Sequence, residues 1–163
     1  MGKPDRPDVA PASIWRDPWQ FVAFGFGSGA MRKAPGTWGT LVGLLFVPAL
    51  QQLPAGAYAL LVLLAALFGC WLCGKVSRDL GVHDHGGIVW DEIVGIWLTC
   101  WLAPPGWFGW LAGFALFRLL DIWKPWPIRW VDRRVHGGVG IMLDDLLAGA
   151  GAWLLLQGLT RLF

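Results

Sequence analysis

The sequence predicts an all-α membrane protein, a polytopic bundle of about five hydrophobic helices, some of them short or re-entrant. Hydrophobic residues make up 56% of the 163-residue chain and charged residues only 15%, against roughly 25% charged residues in soluble domains. The mean hydropathy is +0.53. Thirteen tryptophans and 23 glycines are also typical of membrane helices and their interfaces.

Five apolar runs predict the membrane helices. The clearest has 18 residues without a charge, and Pro104-Pro105-Gly106 separates the third run from the fourth. The runs cover residues 37–53, 57–74, 88–103, 107–120 and 141–159. We expect residues 1–24 to form a polar tail and interfacial segment without a cleavable signal peptide. Residues 25–163 would then form a single membrane-embedded catalytic domain.

The basic residues predict the orientation of this bundle. With the N-terminus in the cytoplasm, the cytoplasmic segments would be 1–36, 75–87 and 118–140. They hold twelve of the thirteen Lys and Arg residues, which is the distribution of the positive-inside rule. All eleven acids and all three histidines fall on the same side. We therefore expect one active site that faces the cytoplasm.

Five acids lie at the predicted helix ends on this side: Asp91, Glu92, Asp121, Asp144 and Asp145. The uncharged stretches 93–103 and 146–159 contain 11 and 14 residues, fewer than the roughly 20 that cross a bilayer. The paired acids should therefore lie in the first turns of their helices. Helix capping is the alternative for the two pairs, and an ion pair with Lys124 is the alternative for Asp121. Clustered carboxylates are oxygen ligands of the kind that bind Mg²⁺.

Basic and glycine-rich segments near these acids are candidates for phosphate binding. Lys124 and Arg133 each stand close to an acid, and Gly36 and Thr37 open the first apolar helix, where backbone N–H groups can receive a phosphate. We expect Arg129 and Arg134 to contact anionic lipid. Asp84 is a further candidate, either as a metal ligand or in support of one.

These residues predict metal-assisted attack of water on a phosphate. The sequence contains no cysteine-phosphatase loop, no D-x-D motif opening a strand, no pattern of the histidine-based lipid phosphatases and no G-x-S-x-G. A net charge of +2 excludes a basic nucleic-acid footprint. Two other classes stay open. A membrane phosphotransferase acting on a lipid headgroup could use the same acids, although the D-G-x-x-A-R pattern of CDP-alcohol phosphotransferases is absent. A transporter with intramembrane acids would need them at several depths.

Four blocks in order resemble the phosphatidylglycerophosphatase A family, over roughly residues 24–152. The blocks are APGTWGT (34–40), VWDEIVG (89–95), FRLLDIWKPWPI (117–128) and DRRVHGGVGIMLDDLLAG (132–149). One departure is His85 after Asp84, where the family pattern would have proline.

The resemblance implies a Mg²⁺-dependent enzyme of the bacterial inner membrane that hydrolyses phosphatidylglycerophosphate to phosphatidylglycerol and phosphate. Its partners would be this substrate and the membrane lipids. The family's acidic block falls on Asp91 and Glu92, and its paired acids fall on Asp144 and Asp145. Its D-x-x-K-P element falls on Asp121, Lys124 and Pro125. The resemblance does not say which acid binds metal and which activates water.

Overall fold

The computed structural model describes residues 10–82 and 85–162, and within these ranges every regular element is helical. This confirms the all-helical fold class. Short 3₁₀ turns cover Ala12–Trp15 and Gly25–Ala30. The α-helices are α1 (Pro18–Ala23), α2 (Pro35–Leu50), α3 (Ala55–Asp79), α4 (Trp90–Cys100), α5 (Trp107–Trp123), α6 (Ile128–Arg134) and α7 (Gly137–Leu162). Residues 1–9 of the predicted tail, and Asp84, lie outside the described residues.

The apolar runs correspond to α2, α3, α4, α5 and α7. The start of α7 differs from expectation, because the helix begins at Gly137 and not near residue 141. Gly138 makes this early start possible: it packs so closely on the backbone of Cys70 and Gly74 in α3 that a side chain would not fit. Asp144 therefore lies about two turns inside α7, and not in its first turn. Helix capping cannot explain an acid at that depth.

Helix α4 lies at the centre of the bundle. Most of its side chains are buried, and it packs against α2, α3, α5 and α7. Its 11 residues extend over only about 16 Å, so it is shorter than a membrane crossing. Glycines bring it close to α7, since a Cβ on Gly149 would stand 2.7 Å from the Gly95 carbonyl oxygen. The Thr99 hydroxyl of α4 also donates to the Gly149 carbonyl of α7 at 3.3 Å, as hydroxylated residues commonly do between membrane helices.

Two helices, α3 and α7, are long and apolar enough to cross a membrane, with mean hydropathies of 2.2 and 1.6 in their most apolar windows. Only 33% of that window in α3 is buried, whereas a soluble core helix would be mostly covered. Its outward face carries exposed Leu60, Leu63, Leu64 and Leu67. A large exposed apolar surface of this kind indicates association with a membrane.

The helix ends sort into two groups. At one end Gln51, after α2, bonds the Ala103 carbonyl at 3.1 Å and the Trp110 indole at 2.9 Å. The Trp101 indole donates to the Ala55 carbonyl at 3.1 Å. These contacts join the C-terminal ends of α2 and α4 to the N-terminal ends of α3 and α5. The opposite ends of α2, α4 and α5, together with the first part of α7, surround the acids.

Candidate active site

A polar cavity of about 540 Å³ opens at the acid-bearing end of the bundle. It is formed by the N-terminal ends of α2 and α4, the C-terminal end of α5, one side of α6 and the first two turns of α7. All five predicted acids line it, together with Lys124 and Gly36. The other polar or charged lining residues are Arg118 and Asp132. Residues more than 100 positions apart in the sequence therefore meet in one place.

Three of the acids form a tight cluster. Asp91 and Glu92 lie in the first turn of α4, and Asp145 approaches them from α7. One carboxylate oxygen from each lies within 4.8 Å of the other two. Among the described residues, Asp91 Oδ1, Glu92 Oε2 and Asp145 Oδ2 are buried without a hydrogen-bond partner. Buried acceptors are almost always satisfied in folded proteins, so this cluster is suited to receive a cation.

Asp121 is paired with Arg118, one turn before it on α5. From the sequence, only Lys124 was a candidate partner of Asp121, and Arg118 was not expected in the site. The i, i+3 spacing of an arginine and an acid on one helix was the signal that could have identified it. Both side chains are largely buried and line the cavity. Arg118 therefore holds Asp121 in place and brings a positive charge beside the acids.

Lys124 joins two acids from other helices. Its ammonium group donates to Asp144 Oδ2 at 2.5 Å and to Asp132 Oδ1 at 2.7 Å. The left-handed backbone of Lys124 (φ 46°) ends α5 and turns the chain at this point. Burial lowers the pKa of Lys124, but the bonds to Asp132 and Asp144 outweigh that effect and raise the pKa above its ordinary value. The side chain therefore stays positively charged at neutral pH.

Gly36 lies against the acid cluster at the start of α2. A methyl group at this position would overlap Glu92 Oε1 and would stand 3.3 Å from an Arg118 guanidinium nitrogen. Thr37 follows it, and its N–H donates to the Ala34 carbonyl at 2.9 Å. Gly36 lines the cavity, whereas Thr37 is not among the lining residues. The absence of a side chain at Gly36 is therefore what allows α2 to approach Glu92.

Gly36→Ala is expected to lower activity by roughly 10–10²-fold, because the new methyl group must displace Glu92 from its position. Stability should be retained, since alanine ordinarily favours a helix over glycine by up to about 1 kcal/mol. The measurements are the rate of phosphate release and the thermal unfolding temperature. Gly158→Ala in α7 is the matched control, because its added methyl group meets nothing within 4 Å. Full activity in Gly36→Ala would show that Glu92 does not need its present position.

Arg133 is not in the acidic cavity. It is exposed and lines a neighbouring cavity together with Arg129 and Arg134. The geometry thus divides the predicted phosphate-binding residues, with Gly36 and Lys124 beside the acids and Arg133 outside them. Lys124 lines both cavities.

Fold and site together define a helical, membrane-associated protein. At one end of its bundle is a cavity in which clustered acids lie beside the side chains of Lys124 and Arg118. The model of one family, "Phosphatidylglycerophosphatase A", matches residues 21–160. The chain belongs to the phosphatidylglycerophosphatase A family.

Relatives cover most of the chain. It is 49% identical over 148 residues to "Phosphatidylglycerophosphatase A" of Escherichia coli (strain K12), covering 90% of this chain and 86% of the relative. It is 48% identical over 134 residues to the Haemophilus influenzae protein of the same name, covering 81% and 82%. A Bacteroides thetaiotaomicron protein provisionally named a phosphatidylinositol-3-phosphatase is 37% identical over 143 residues, covering 83% and 89%. No solved structure matches the chain.

Proposed function

We propose that this protein is a Mg²⁺-dependent phosphatidylglycerophosphatase. It hydrolyses the terminal phosphomonoester of phosphatidylglycerophosphate and releases phosphatidylglycerol and inorganic phosphate. Membership of the family supports the substrate. The observation that carries the chemistry is the convergence of Asp91, Glu92 and Asp145 within 4.8 Å in a cavity that also holds Lys124 and Arg118.

The residues present fit a magnesium ion. Mg²⁺ prefers oxygen ligands and is usually held by one or two carboxylates together with substrate phosphate and water. The buried oxygens of Asp91, Glu92 and Asp145 provide such a set. Asp121 and Asp144 line the same cavity and would complete or support it. A bound Mg²⁺ would neutralise negative charge on the phosphate oxygens and make the phosphorus atom more electrophilic.

The protein's own groups account for the rest of the reaction. Lys124 stays charged between Asp132 and Asp144 and stabilises the charge that develops on the phosphate oxygens. Arg118 holds Asp121, and its Nε, which has no hydrogen-bond partner among the described residues, is available to the phosphate. A carboxylate of the cavity accepts a proton from the attacking water. The water oxygen bonds to phosphorus, the bond from phosphorus to the glycerol oxygen breaks, and the glycerol oxygen takes up a proton.

We further propose that the protein is a multi-pass protein of the bacterial inner membrane and that its cavity faces the cytoplasm. The distribution of Lys and Arg supports this orientation. The exposed leucines of α3 support contact with lipid. The phosphate of a membrane lipid lies just outside the hydrocarbon layer, which suits a cavity at the end of the bundle. The buried α4 would then enter the bilayer without crossing it.

Removal of divalent cations tests the proposal. Purified protein in neutral detergent should release phosphate from phosphatidylglycerophosphate when Mg²⁺ is present. EDTA should reduce the rate to background, and excess Mg²⁺ should restore it. Undiminished release in EDTA would contradict the metal-dependent mechanism. A panel with phosphatidylinositol 3-phosphate and phosphatidic acid tests the substrate: faster hydrolysis of either lipid than of phosphatidylglycerophosphate would contradict the proposed specificity.

A further inference from the structure

A second cavity, of about 650 Å³, lies beside the acidic one. It follows the end of α5 and runs along α6, and it meets the acidic cavity at Lys124, which lines both. Its walls are mainly tryptophan and arginine, so we call it the Trp–Arg cavity. It is lined by Trp123, Lys124, Pro125, Trp126, Arg129, Trp130, Arg133 and Arg134.

The Trp–Arg cavity carries an excess of positive charge. Within residues 10–82 and 85–162, no ion pair neutralises Arg129, Arg133 or Arg134, and no acid lines the cavity. Arg129 donates to the Trp123 carbonyl at 3.3 Å, and the Arg134 guanidinium lies 5.1 Å from the centre of the Trp130 ring. These contacts orient two of the arginines and leave their charge available to an anion.

The tryptophans give the cavity an apolar, outward-facing side. Trp123, Trp126 and Trp130 are 64%, 83% and 50% exposed. Exposed tryptophans at the end of an apolar helix are typical of the interface between lipid headgroups and hydrocarbon. An anion bound here would therefore lie beside the acyl chains of the lipid that carries it.

We propose that the Trp–Arg cavity binds the phosphodiester group of the lipid substrate, while the acidic cavity holds the phosphomonoester. This inference rests on the proposed function, because phosphatidylglycerophosphate carries both groups and a single glycerol unit separates them. The phosphodiester bears one negative charge and is joined to diacylglycerol. It therefore needs a basic site that is open to lipid and adjacent to the reacting phosphate, and the Trp–Arg cavity meets both conditions. Lys124 lies where the two sites join.

The two cavities together would also discriminate between lipids that carry one phosphate group and lipids that carry two. The acidic cavity would bind a phosphomonoester, which phosphatidic acid and phosphatidylglycerophosphate both carry. The arginines add affinity only for a lipid with a second phosphate at the correct separation. Phosphatidic acid has no phosphodiester, so it would gain nothing from them.

The test uses the double variant Arg129→Gln/Arg133→Gln in neutral detergent micelles. Both side chains are exposed, so the variant should fold, and its unfolding temperature checks this. We expect the KM for phosphatidylglycerophosphate to rise roughly tenfold and to change more than kcat, as for the loss of charge-assisted hydrogen bonds. Inhibition by phosphatidylglycerol, which has only the phosphodiester, should weaken by a similar factor. Inhibition by inorganic phosphate should be retained. Arg129→Lys/Arg133→Lys should recover part of the affinity.

Arg16→Gln removes an exposed arginine that lines neither cavity and serves as the control for surface charge. An equal rise in KM in Arg16→Gln would overturn the inference, because the arginines would then act only through the overall surface charge of the protein. An unchanged KM in the double variant, or a wild-type protein that phosphatidylglycerol does not inhibit, would also overturn it. Wild-type protein that releases no phosphate from phosphatidylglycerophosphate would instead refute the proposed function, and the inference with it.

Discussion

Replacement of Asp145 by asparagine is expected to lower kcat for phosphate release by roughly 10²–10³-fold, the cost of removing one preorganised electrostatic group from an active site. Asp145 is buried in α7 and places a carboxylate oxygen within 4.8 Å of Asp91 and Glu92. An amide of the same shape preserves the packing but removes a negative ligand. The measurement is phosphate release from phosphatidylglycerophosphate in detergent at saturating Mg²⁺. Glu92→Gln should behave in the same way.

Thermal unfolding gives an independent readout of the same cluster. Three carboxylates so close together repel one another when no cation is bound, so Asp145→Asn should be at least as stable as the wild type in EDTA. Added Mg²⁺ should stabilise the wild type, by about 2.7 kcal/mol at a hundredfold excess over Kd, and should stabilise the variant less. An equal response of both proteins to Mg²⁺ would contradict a metal site at these acids.

Asp79→Asn is the matched control for Asp145→Asn. Asp79 is exposed at the end of α3 and pairs with Lys75 at 2.5 Å, and exposed pairs contribute only about 0–1 kcal/mol to stability. We expect this variant to keep its activity. Full activity in Asp145→Asn, with the fold intact, would show that the chemistry takes place elsewhere.

Replacement of Lys124 by glutamine is expected to lower kcat by roughly 10²-fold. Lys124 is the cation that the structure places at the junction of the two cavities, in contact with Asp144 and Asp132. Glutamine can still form hydrogen bonds, but it cannot stabilise the charge that develops on the phosphate. Steady-state kinetics should show a fall in kcat together with kcat/KM, the pattern of an interaction made in the transition state.

Two further variants separate catalysis from structure at Lys124. Lys124→Arg keeps the charge, but its planar guanidinium cannot reproduce the compact contacts of an ammonium group, so we expect partial recovery. Lys75→Gln removes a partly exposed lysine from the ion pair on α3, outside the acidic cavity, and should leave the rate unchanged. A wild-type kcat in Lys124→Gln would exclude Lys124 from the reaction.

Local sequence patterns predicted the helices well, because hydropathy and helix-breaking residues act over short distances. The apolar runs between prolines and glycines correspond to α2, α3, α4, α5 and α7. The short helices α1 and α6 were not predicted, since six or seven residues rich in tryptophan or charge carry no clear apolar period. The start of α7 was placed too late because the packing of Gly138 on α3 cannot be read from local sequence.

The acids themselves were recognisable from sequence, because charges at the edges of apolar runs are costly and need a reason. The side chains that pair with these acids could not be identified from the sequence. Lys124 was the one ion-pair partner considered for Asp121, as the alternative to a metal site, yet Arg118 takes that place and Lys124 bonds acids 8 and 20 residues further along the chain. Such choices depend on which side chain can reach the acid once α5, α6 and α7 are packed. Sequence spacing along one helix does not contain that information.

Composition and charge distribution were therefore enough to predict a helical, membrane-associated protein with its acids at one end. Packing of distant segments decided which acids form the tight cluster, why Gly36 carries no side chain beside Glu92, and that Arg133 belongs to a separate cavity. The physical reason is the separation along the sequence over which each property is determined. Burial of apolar residues is set by each segment's own composition, whereas a carboxylate cluster exists only when helices remote in sequence approach within a few ångströms.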